Sequence, residues 1–123
     1  MRAGQHAGLA IAAAIGLLLA AAPASAQALG GDRLMEEWGG KTLTARLANG
    51  SVAQISFRQD GTIAASGAVN DTGIWKTAAD GYCTRWKALN GGQERCFTVV
   101  QNRDKYDVKN ATGAYAGTFE ALR

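Results

Sequence analysis

Apolar and polar positions alternate from Lys41 almost to the C-terminus, in short runs rich in Thr, Val, Ile and aromatic residues. Asn-Gly, Asp-Gly and Gly-Gly pairs separate the runs. Alternation of period two between such turn residues predicts successive β-strands, here at 41–48, 51–58, 62–68, 73–78, 81–88, 94–101, 105–110 and 114–120. The connections, at Asn49-Gly50, Gln59-Asp60-Gly61, Asp80-Gly81, Asn90-Gly91-Gly92 and Thr112-Gly113, are short. Short links impose antiparallel neighbours, because a parallel crossover takes about a dozen residues or more. The expectation is an all-β fold, an eight-stranded antiparallel meander closing into a small barrel, since closure removes exposed strand edges. A two-sheet sandwich of the same strands is the alternative.

Three registers can be read from the residues. A three-residue Gln59-Asp60-Gly61 loop with Gly61 left-handed sets Phe57 opposite Ile63 and Ile55 opposite Ala65, so the apolar positions agree. A two-residue Asn49-Gly50 turn would instead put Leu43 and Leu47 on the face opposite Ile55 and Phe57. A one-residue slip flips every side chain. An odd-length loop or a bulge is therefore expected there, returning Leu43, Ala45, Leu47, Ile55 and Phe57 to one inner face. If Cys83 faces Cys96, then Tyr82 faces Phe97, Thr84 faces Arg95 and Arg85 faces Glu94. That register places Tyr82, Trp86, Phe97 and Val99 on one face, with the disulfide and an Arg85–Glu94 pair on the other.

The segment before the strands reads differently. Arg2, an apolar run over 9–22, Pro23 and the small residues Ala24-Ser25-Ala26 make up the three parts of a secretory signal, expected to be cleaved after Ala26. The apolar run is shorter than the roughly 20 residues a membrane span needs, and no later segment is apolar enough to cross a bilayer. The expected organisation is a signal peptide over 1–26, a leader and short helix over 27–40, and a β-barrel domain over 41–123. In the helix, from Asp32 to Trp38, Asp32 is the expected N-cap and Gly39-Gly40 the stop. Leu34, Met35 and Trp38 would pack on whatever follows.

Composition narrows the function classes. An exported chain reaches a compartment where disulfides persist, so Cys83 and Cys96 are expected to be joined, and the protein to be periplasmic or secreted. Closing a loop of about 14 residues should contribute roughly 3 kcal/mol. The net charge of +3 falls to +2 without Arg2, and the basic residues are scattered, which argues against nucleic acid as a partner. The single histidine, His6, lies in the signal. The remaining chain thus lacks a Ser-His-Asp or Cys-His arrangement, and with both cysteines oxidised it also lacks a thiol nucleophile. The reading is a non-catalytic protein with no metal and no cofactor. Asn102, Asp104 and Asp107 lack the Gly and distal Glu of a calcium loop and read as a solvated hairpin turn.

The aromatics carry the remaining signal. Trp75, Tyr82, Trp86, Phe97, Tyr106, Tyr115 and Phe119 all fall in the last five strands, whereas the first three inner faces are mostly Ala, Ile and Leu. Eight strands enclose barely enough room for their own side chains, so a filled core is the first expectation. Ala45, Ala53 and Ala65 nevertheless leave space for a small cavity. Its ligand-binding residues would be Trp75, Tyr82, Trp86 and Phe97, with Arg95 as a contact for an acidic ligand head.

Gly73-Ile74-Trp75, Tyr82-Cys83-Thr84-Arg85-Trp86, Glu94-Arg95-Cys96-Phe97, Tyr106 and Gly117-Thr118-Phe119 together resemble a group of small exported bacterial proteins, mostly uncharacterised and regarded as lipocalin-like barrels. That resemblance implies a fold and no activity. Ser66-Gly67-Ala68 followed by Trp75-Lys76 is similar to a stretch of periplasmic lysozyme inhibitors, in which a loop Ser and a basic residue enter the target's cleft. The matching positions here are Ser66 and Lys76. The tyrosine of that pattern is absent, and the cysteines are placed differently. Three functions stay open: a barrel binding a small apolar or amphipathic ligand, an inhibitor whose partner is a secreted enzyme, and a structural envelope protein.

Overall fold

A computed structural model describes residues 27–122. The predicted signal and its cleavage site lie outside the described residues. Helix α1 (Gly31–Trp38) is followed by β1 (Lys41–Leu47), β2 (Val52–Phe57), β3 (Thr62–Gly67), β4 (Asp71–Ala78), β5 (Gly81–Trp86), β6 (Arg95–Asn102), β7 (Lys105–Asn110) and β8 (Tyr115–Ala121). Each strand pairs antiparallel with its sequence neighbours, and β8 returns to β1 to close the barrel. The sandwich alternative is thereby excluded.

The hairpin registers follow from turn chemistry. Leu43 faces Ile55 and Ala45 faces Ala53, because Ala48-Asn49-Gly50 forms an odd, three-residue loop closed by the Leu47 N–H on the Ser51 carbonyl at 2.8 Å. Phe57 faces Ile63 and Ile55 faces Ala65. The loop between them needs Gly61 at φ +91°, a conformation costly for any residue with a Cβ. Cys83 faces Cys96 and the two are bonded. A Cβ at Gly81 would lie 1.8 Å from the Phe97 carbonyl oxygen, so only glycine lets β5 start so close to β6.

Two expectations are corrected. The β5–β6 ladder ends at Thr84↔Arg95, so Arg85 and Glu94 do not pair. Arg85 lies opposite Ile74 of β4, and Glu94 bridges to Lys76 at 3.1 Å. The neighbouring strand β4 offers Glu94 the Lys76 cation, which the pairing of β5 with β6 does not reveal. Asp32 does not cap α1 either. Gly30 occupies that position without a side-chain bond, and Asp32 lies in the first turn. The leader fixes the helix start in its place. Where β5 begins opposite Thr98, the Leu29 N–H bonds the Val99 carbonyl at 2.7 Å. Strand ends also shift by up to two residues, and Leu89–Gly92 forms a 3-10 turn between β5 and β6.

Helix α1 stops one end of the barrel. Trp38 is fully buried, and its ring lies 4.7 to 5.4 Å from those of Phe57, Tyr82, Tyr106 and Phe119. Aromatic pairs at this spacing add to what area burial supplies. Tyr106 further ties the helix down by donating its hydroxyl to Glu37, whose carboxylate also accepts from Arg33.

Candidate functional site

The meander sorts the loops between two ends. The β2–β3, β4–β5 and β6–β7 turns lie with α1, and the other four loops surround the opposite mouth. A cavity of about 450 Å³ opens there. Phe57, Tyr82 and Phe119 floor it and rest on Trp38. Ile55, Ile63, Phe97 and Val108 form its walls, and Leu47, Val69, Trp86, Leu89 and Ala116 surround the mouth with Asn49 and Asn90. The filled-core and hollow readings thus each hold for one half of the barrel. Trp38 and the aromatics fill the helix end, and the other end stays open, although Ala45, Ala53 and Ala65 do not line the space.

Strand β5 supplies one wall from floor to mouth. Successive inward residues Tyr82, Thr84 and Trp86 all line the cavity, as a period of two requires. Among the described residues no charged side chain does so. Below the rim the polar side chains are Tyr82 and Thr84. The Tyr82 ring stacks on Phe97 with centroids 5.1 Å apart, and burial alone pushes its phenol far above the ordinary range. Thr84 is 3% exposed, and its Oγ1 has no hydrogen-bond partner among the described residues. Such a group is costly unless something bonds to it.

The mouth is shaped by an anchored loop. Asp71, at the start of β4, accepts the backbone N–H groups of Ala88 and Leu89 through Oδ2, both at 2.9 Å. These bonds, Leu89 first, hold the Asp71 carboxyl below its ordinary range. Asn90, Gly91 and Gly92 follow in left-handed conformation, and Leu89 and Asn90 stand at the cavity entrance.

Of the predicted ligand residues, Tyr82, Trp86 and Phe97 line this cavity, and Trp75 and Arg95 do not. Trp75 is buried nearer the helix end, against Phe57, and its indole N–H bonds the Arg58 carbonyl at 2.8 Å. Arg95 is exposed at the last rung of its ladder. Ser66 and Lys76 are exposed and point outward from β3 and β4. Ser66 lies near the mouth, and Lys76 lies further along β4, toward the helix end, where it bridges to Glu94. The fold does not bring those two residues together. Thr84 was legible as an inward position between Tyr82 and Trp86, but Leu89 and Asn90 fall in a loop without periodicity. Asn102 to Lys105 form an exposed hairpin turn, with Asn102 paired to Lys105.

Among the described residues no helix is long and apolar enough to cross a membrane. Compared with protein-family models, with curated proteins and with solved structures, the chain matches none.

Proposed function

We propose that this protein is an exported, non-catalytic, lipocalin-like barrel that holds a small, largely apolar ligand in the cavity at its open end. The observation that carries this reading is the cavity itself, about 450 Å³, apolar in its walls and opposite the Trp38 stopper. Its size lies within the range of small-molecule sites, and its chemistry is theirs: apolar walls with few polar groups. Export is supported by the disulfide, which persists in an oxidising compartment. The non-catalytic reading rests on the lack of histidine after His6 and on the bonding of both cysteines.

The test uses N-phenyl-1-naphthylamine, a neutral apolar dye that brightens when it leaves water. The expected result is saturable brightening with the wild-type protein. Val69→Trp, which fills the mouth from a loop position, should weaken it at least about tenfold, as loss of access to a single site requires. An absence of saturable binding, or a Val69→Trp variant that binds as well as wild type, overturns the reading.

A further inference from the structure

We infer that the ligand is neutral and carries a hydrogen-bonding group, such as an alcohol, ketone or amide, that enters first and bonds Thr84, leaving its apolar body toward the mouth. This rests on the reading of the cavity as a ligand site. Two observations support it independently.

The first is the orphaned hydroxyl. Thr84 lines the cavity wall, and its Oγ1 is buried and has no hydrogen-bond partner among the described residues. Valine has the same shape and would fill this place without leaving a polar atom unbonded. A threonine that serves only packing is therefore the costlier choice. A hydroxyl can donate or accept, so it satisfies an alcohol, a carbonyl or an amide N–H equally.

The second is charge. An ionised group taken into an apolar cavity needs a counter-charge. Among the described residues no Lys, Arg, Asp or Glu lines the walls, and Arg95, which faces Thr84 across the β5–β6 ladder, stands outside. A carboxylate could only remain at the mouth, leaving Thr84 unbonded. Head-first entry of a neutral group is the arrangement that satisfies the buried hydroxyl.

The experiment measures displacement of N-phenyl-1-naphthylamine by 1-decanol and by decanoate at pH 8, with wild type, Thr84→Val and Thr84→Ser. Decanol should displace the dye from wild type. Thr84→Val should weaken decanol about fivefold to tenfold, the loss of one neutral hydrogen bond, and leave decanoate unchanged. Thr84→Ser, which keeps the hydroxyl, should restore most of the decanol affinity. Without ligand, Thr84→Val should melt about 5 °C higher, because the unbonded oxygen is gone. If decanol and decanoate respond alike to Thr84→Val, or neither responds, the inference falls while the cavity remains a ligand site. If the dye never binds, that site falls and this inference with it.

Discussion

Thr84 and Arg95 face each other across the last rung of the β5–β6 ladder, yet Thr84 is 3% exposed and Arg95 stands in solvent. Opposed residues share a face of the sheet, so both have inward parity. What separates them is the end of pairing. The chain enters Arg95 from the Leu89–Gly92 turn, and a long cationic side chain at that point reaches water. The expected outcome for Arg95→Met is a stability change within about 0.5 kcal/mol, as for other exposed positions. Dye binding should be unchanged. Thermal melts and a titration check both, and lost binding with retained stability would place Arg95 in the site after all.

Cys83→Ala and Cys96→Ala should each cost about 3 kcal/mol, and the double variant should be no worse than either single, since all three remove the same bond. Urea unfolding under non-reducing conditions measures this. Losses that add would show that the two sulfurs act separately.

The contact between Tyr106 and Glu37 makes the seating of α1 pH-dependent. Burial by itself would raise the Glu37 carboxyl, but the hydrogen bonds from Tyr106 and Arg33 outweigh it and hold the group below its ordinary 4.5. Its contribution is present above pH 4.5 and is lost as pH falls through the lowered value. Burial, and then the Glu37 carboxylate, push Tyr106 up to about 12. That contribution is present below pH 10 and is lost as pH rises toward 12. Melting temperature should therefore show a plateau with a fall on each side. Tyr106→Phe should cost about 1–2 kcal/mol, read as a lower melting temperature on the plateau, and flatten both limbs.

Asp71 should govern how open the mouth is. Asp71→Ala removes the acceptor for the Ala88 and Leu89 amides, so their hydrogen exchange should quicken about tenfold while the barrel strands stay protected. Dye release should quicken as well. In wild type the same loosening should set in below pH 3.8, because the lowered carboxyl keeps its charge to a more acid pH than a free Asp. Exchange rates that do not respond to the substitution would mean the loop is held by its glycine-rich turn alone.

Mass spectrometry of the protein recovered from the periplasm or medium should find an N-terminus at Gln27 and a mass lower by two hydrogens for the disulfide. A chain that starts at Met1 in a membrane fraction would refute export.

By itself, the sequence determined what depends on neighbours along the chain. Period-two alternation and the turn glycines determined eight strands, their order and the parity of each side chain. Loop length then determined that Phe57 shares the inner face with Ile63, whereas for Leu43 with Ile55 it was the apolar pattern that required an odd loop. Tertiary structure decided what depends on elements distant in sequence. Nothing local told that Trp38 would seat among Phe57, Tyr82, Tyr106 and Phe119 and fill only one end, because that requires the barrel to have closed. Nor did the sequence show that Glu94 would turn to Lys76 rather than Arg85, or that Arg95 would leave the site that Thr84 lines. At the end of a ladder backbone pairing no longer dictates where a side chain goes. The nearest partner in space decides, and only the closed barrel determines which residue that is.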